Sequence, residues 1–197
     1  MKLDPLFTVK ENKLYKIDGG ASFECFNEIT DISAGHDFSS DVIYKIIINQ
    51  KTIEPEAECY NEEFLAKLRD DLKMLEEKGV FAVLSVEPSD KAIAACNAEG
   101  EVFCQYVAAV KHTARRVKDC VSVAGIVIRD DVLTSCAPAE KESVAAEAGV
   151  KSGAQKIAYF IDELSAKHAQ YVFLAEGIAF EQSRLLDSGY DSRIVKL

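Results

Sequence analysis

The sequence predicts an α/β fold of the TIM-type (β/α) barrel kind, incomplete at about six parallel strands and preceded by a β-hairpin. Three observations predict it. At residues 62–86 a helical period passes directly into an unbroken apolar run; strand-like and helix-like stretches then alternate to residue 197; and two short alternating runs stand in front of them all.

Residues 6–17, LFTVKENKLYKI, alternate apolar and polar side chains on either side of Glu11-Asn12-Lys13, the pattern of a hairpin. Asp18-Gly19-Gly20 turns the chain into a strand that carries Phe23 and Cys25 and ends near Asn27-Glu28. A turn-rich loop with His36 leads to VIYKIIIN, residues 42–49, an apolar strand interrupted by Lys45. Residues 50–61 read as a connector. Asn61 then caps a helix whose first turn holds Glu62 and Glu63, where the helix dipole favours acids. Phe64, Leu65, Leu68, Leu72 and Leu75 form its apolar stripe, and Gly79 supplies a left-handed C-cap. Residues 80–86 are apolar on both faces apart from Ser85, as a strand buried in a parallel sheet must be. Glu87-Pro88 ends it.

A helix follows from residue 90 or 98 to 118, with Phe103, Tyr106, Val107 and Val110 on its apolar side. VSVAGIVI, residues 121–128, is the next strand and ends in Arg129-Asp130-Asp131. Residues 141–167 have helical periodicity, but Gly149 and Gly153 weaken the first half, so one helix or two fit. Residues 171–177 form a strand ending at Glu176, residues 181–189 a short helix, and SRIVKL a sixth strand. No linker divides residues 1–197, which read as one domain. Strand-helix-strand order predicts right-handed crossovers, compatible with an open doubly wound sheet or a barrel. The leading hairpin favours the barrel, whose bottom it would plug.

Net charge is −10 and the pI is near 4.9, which argues against a nucleic acid or an anionic membrane as partner, since either needs a basic face. No apolar run is long enough for a membrane span, and MKLDPLFTVK lacks the apolar core of a signal peptide, so a cytoplasmic location is expected. Six cysteines without CxxC spacing read as reduced structural thiols. His36, His112 and His168 lack ligand spacing and no GxGxxG or Walker loop follows a strand, so neither a metal nor a cofactor is expected.

FTVKENKLYKIDGGASFECFNEITDIS, VIYKIIIN and the helix and strand at 62–88 resemble the hairpin and first three strands of family 5 glycoside hydrolases, the cellulase-like (β/α)8 barrels. VKHTARRVKDCVSVAGIVIRDD is similar to the helix and fourth strand that in the family end in Asn-Glu, the Glu being the acid/base. The resemblance implies a protein that acts on or binds a carbohydrate. It places Asp130 and Asp131 at the Asn-Glu positions, Lys45 at the family's second-strand arginine and Glu87 at its third-strand histidine. The family's nucleophile lies on the seventh strand; this chain reaches about the sixth, and a full barrel takes about 250 residues.

Independently of the resemblance, parallel strands bring the carboxylates at their C-terminal ends to one rim. Convergent carboxylates can form an acid/base pair, and the resemblance implies the carboxyl pair of a glycosidase, so Asp131, Asp130 and Glu176 are the candidate catalytic residues. Glu87, Lys45, Asn27, His36 and Arg129 are candidates to bind a carbohydrate or other small ligand. The competing expectation is a non-catalytic binding protein, with a homodimer as one way to cover the free edges of an incomplete barrel.

Overall fold

The computed structural model describes residues 4–19, 22–23, 26–34, 36–89, 100–133 and 153–197. Strands β1 (Phe7–Lys10) and β2 (Lys13–Lys16) pair antiparallel, and Glu11 and Asn12 take φ of 50° and 57° in the turn between them. That left-handed pair is the geometry that keeps two twisted strands together across a two-residue loop. Strand β3 (Ser22–Phe23) adds to β2.

Six strands form the second sheet: β4 (Phe26–Ile29), β5 (Ile43–Asn49), β6 (Phe81–Glu87), β7 (Val123–Ile128), β8 (Val172–Ala175) and β9 (Ile194–Lys196). They lie in chain order and every neighbouring pair is parallel. A doubly wound sheet would reverse its order partway; this one does not, so its winding is that of a barrel. The helices are α1 (Gln50–Ile53), α2 (Glu62–Glu77), α3 (Gly100–Arg116), α4 (Gly153–Ser165) and α5 (Gly177–Ser183).

Two apolar clusters follow from this winding. Leu68, Leu72 and Leu75 of α2, Tyr106 and Val110 of α3, and Phe160 and Ile161 of α4 pack on the sheet face that carries Leu84, Ile126 and Phe173. On the opposite face Ile43, Val83, Val127, Val172, Leu174 and Val195 are covered by Phe7, Val9, Leu14 and Phe23 of the hairpin sheet. The hairpin therefore plugs the concave side at its lower end, as the sequence suggests. Between Ala82 and Val83 the register of β6 against β7 shifts, and Gly125 sits at the shift. A Cβ there would lie 2.4 Å from the carbonyl oxygen of Val172, a contact no side chain tolerates.

Three expectations change. The single strand through residues 23–28 is two pieces, β3 in the hairpin sheet and β4 in the parallel sheet. The connector at 50–61 contains α1, whose N-cap Asn49 accepts from the backbone N–H of Lys51. The helix expected at 181–189 lies at Gly177–Ser183. Of the helical stretch at 141–167, Gly153–Ser165 is described, and the question of one helix or two lies outside the described residues. Cys59, Cys104 and Cys120 are free thiols; Cys25, Cys96 and Cys136 fall outside the described residues. Among the described residues no helix is long and apolar enough to cross a membrane.

Candidate functional site

Side chains alternate along a strand, so the concave face that is apolar below becomes polar above. On β5, Ile43 is followed on the same face by Lys45; on β6, Val83 is followed by Ser85 and Glu87. Lys45 is in register with Glu28 on β4. Beyond the ends of β7 and β8 the same alternation brings in Arg129 and Glu176.

The Lys45 ammonium lies 2.9 Å from Glu28 Oε1 and 2.9 Å from Glu176 Oε1, and its side chain is only 7% exposed. Burial opposes the charge on Lys45, but the hydrogen bonds it donates to its two carboxylate partners, with their charge, outweigh burial and raise its pKa. Lys45 is a cation at any physiological pH. The other oxygen of Glu176 accepts the backbone N–H of Asp130 at 2.9 Å. Burial pushes Glu176 up, but that N–H and Lys45 together hold its pKa below the usual carboxylate value. Asp130 in turn uses Oδ1 to accept the backbone N–H of Ala179 at 2.7 Å. It caps α5 from across the rim, because the local N-cap residue, Glu176, makes no side-chain cap bond.

A second group sits beside the first. Arg129 holds Asp131 by Nε, 3.0 Å from Oδ2, and by Nη2, 2.7 Å from Oδ2; its Nη1 donates to Ser85 Oγ at 3.1 Å. Glu87 is 3.4 Å from the same guanidinium. Burial opposes the charge of Arg129, and Asp131, Glu176 and Glu87 outweigh it.

Six of the eight candidate residues are thus brought to one rim: Lys45, Glu87, Arg129, Asp130, Asp131 and Glu176. Asn27 and His36 are not. Asn27 is in register with Tyr44, whose side chain belongs to the helix-side cluster, and so lies on the other face of the sheet. The His36 ring contacts Phe38 and is 2.9 Å from the Asp31 carbonyl oxygen, away from both groups. Glu28 and Ser85 are rim residues that sequence reasoning passed over. Each was legible in principle, Glu28 as an acid at the end of a strand and Ser85 as the one polar residue in an apolar run.

Chemically the rim offers acceptors and charge-assisted donors held in place by one another. Glu28 is 61% exposed at its side chain and Glu87 40%, so both present oxygens to solvent, while Lys45 is buried and Arg129 half-buried. Acid catalysis of glycoside cleavage needs a carboxyl that keeps its proton near neutral pH, which requires a raised pKa. Glu176 is shifted the other way. Among the described residues no group of three or more His, Cys, Asp or Glu side chains is arranged to hold a metal ion.

No protein-family model matches the chain, and no curated protein does. Solved structures do match. Endo-glycoceramidase II from Rhodococcus sp. superposes with a TM-score of 0.58 at 14% identity, over 89% of this chain and 51% of that chain. Its ganglioside GM3 complex gives 0.57 at 13% identity, over 89% and 51%, and its cellobiose-like imidazole complex 0.57 at 13%, over 80% and 49%. This chain spans about half the length of those structures. At such identities the likeness is one of fold. The chain has the fold of a shortened (β/α) barrel, the fold class that its sequence predicts.

Proposed function

We propose that the rim binds a carbohydrate through its hydroxyls and that it does so without cleaving it efficiently. The observation that carries this reading is the chain Glu28–Lys45–Glu176–Asp130, a buried cation between two carboxylates at the C-terminal ends of parallel strands. A sugar hydroxyl donates to one oxygen and accepts from another, and a fixed alternation of carboxylates and N–H donors on a concave wall matches it. The structural neighbours support the ligand class, since their solved complexes hold ganglioside GM3 and a cellobiose-like imidazole. Poor cleavage follows from commitment: Glu176 is held ionised by Lys45 and Asp130, and Asp131 is tied to Arg129.

The test is calorimetric titration with cellobiose and a panel of mono- and disaccharides, using the wild type and Lys45→Met. Binding in the wild type that is lost in the variant supports the reading; no heat from any sugar overturns it. Hydrolysis of aryl glycosides is measured beside it, with Asp131→Asn as control. Turnover is expected in neither protein, and turnover in the wild type that the variant loses would make the rim an active site instead. The second reading, a homodimer, draws support from β4 and β9, each of which pairs on one side only among the described residues. Sedimentation velocity distinguishes it.

A further inference from the structure

A basic groove runs along the outside of the barrel, away from the rim. Arg69 and Lys73, one turn apart on α2, face Arg115 and Arg116 at the end of α3, and Lys118 beyond it, across a space of about 980 Å³. Glu62, Glu76 and Asp119 are the acids on its walls. Five basic and three acidic residues give the lining a net charge of +2 on a chain of −10, so the remainder carries −12.

The three acids are already engaged. Asp119 receives Arg69 through Nε at 3.1 Å and through Nη2; Glu76 holds Lys73 at 2.9 Å; Glu62 pairs with Arg116. These pairs fix long side chains along the walls, which lowers the entropy lost when something binds there. Arg115 and Lys118 are exposed and have no ion-pair partner among the described residues. Between the walls Ala66 and Val121 leave apolar surface open.

We propose that this groove docks an acidic peptide segment of a protein partner, with carboxylates on Arg115 and Lys118 and apolar side chains on Ala66 and Val121. A nucleic acid would press a dense row of phosphates against the strongly acidic remainder of the chain, which repels it. A small anion would fill only a fraction of a groove this long. A peptide with spaced carboxylates matches two unpaired cations set among existing ion pairs, and matches the apolar floor as well. The proposal is independent of the reading of the rim.

The experiment is fluorescence anisotropy of a labelled peptide that alternates glutamate and leucine, added to the full chain at low ionic strength. Binding is expected, weakening as salt screens it, and falling about tenfold or more in the double variant Arg115→Glu, Lys118→Glu. Asp131→Asn, altered at the rim, is expected to bind as the wild type does. Circular dichroism checks that the double variant is folded; if it is not, Arg115→Gln, Lys118→Gln is measured against the same criterion. The proposal is overturned by absence of binding, by equal binding to the charge-altered variant, or by loss of binding in Asp131→Asn. Displacement by inorganic pyrophosphate as effective as that by unlabelled peptide also overturns it, by making the groove a small-anion site.

Discussion

At the scale of single residues, His168 is the one buried side chain among the described residues whose polar atoms have no hydrogen-bond partner. His168 is 3% exposed, stacks on Tyr171, and neither ring nitrogen is hydrogen-bonded. Burial and three neighbouring lysines, Lys118, Lys167 and Lys111, lower its pKa from the ordinary 6.5. The sign of the consequence is fixed by linkage: below pH 6.5 the unfolded chain takes up a proton that the folded chain refuses, so stability falls as pH falls. The loss ends once pH passes the depressed folded value. Within that window the slope approaches about 1.4 kcal/mol per pH unit for a single proton. Urea unfolding at steps between pH 7.5 and pH 5 is expected to show a smaller slope in His168→Leu than in the wild type. Equal slopes would mean that the imidazole is solvated after all. Glu176 contributes in a different window: its stabilisation is present above the ordinary carboxylate pKa of 4.5 and is lost only as pH falls through its lower folded value. Between pH 6.5 and 4.5, therefore, the loss of stability reports on His168 and not on Glu176.

At the scale of elements, α5 is the instructive case. Its start carries no Ser, Thr, Asp or Asn before the first helical residue, and its first residue is Gly177, so nothing local announces a helix there. The cap is Asp130, 49 residues earlier than the Ala179 N–H that it receives. A sequence reading places the helix too late because the signal that starts it comes from the turn that follows β7. By contrast α2 carries its own cap, Asn61, which accepts the Phe64 N–H at 3.0 Å, and its apolar stripe, so it was legible to within a residue or two. The same division explains the rest. Lys45 was conspicuous as a charge inside an apolar strand, but its partner Glu176 lies 131 residues away, and only the winding of the sheet brings the two together. The split of residues 22–29 between two sheets was illegible because alternation states that a strand exists, and neighbours decide which sheet it joins. Asp130→Ala is expected to destabilise the fold by about 1 kcal/mol, the usual contribution of an N-cap, with the loss concentrated in α5. Hydrogen exchange reads this directly: faster exchange at Ala179 with α2 unchanged supports the distant cap, and unchanged exchange at Ala179 refutes it.

At the scale of the whole molecule, the question is what the inward face of the six described parallel strands packs against. In a closed barrel the inward side chains of each strand pack against those of the strands opposite. Here Ile43, Val83, Val127 and Leu174 point inward and are none the less fully buried, because Phe7, Val9, Leu14 and Phe23 fill the space in front of them. Phe7, Phe23 and Phe81 meet edge-on or tilted, with centroids 5.0 to 6.1 Å apart, so the hairpin sheet and the base of β6 form one aromatic contact. Asn12 ties the hairpin tip to the last strand by accepting the Lys196 N–H at 2.9 Å. The hairpin is thus part of the core of the parallel sheet, although it belongs to a separate antiparallel one. Leu14, 0% exposed at the centre of this contact, tests the point. Truncating a buried leucine to alanine costs about 2–5 kcal/mol, a large share of the 5–15 kcal/mol typical of a domain. Leu14→Ala should therefore lower the urea midpoint of the whole helical signal in a single transition, since the sheet loses its inner cover at the same moment. A variant whose helical transition stays at the wild-type midpoint would show that the hairpin is an appendage, and that the concave face is stable without it.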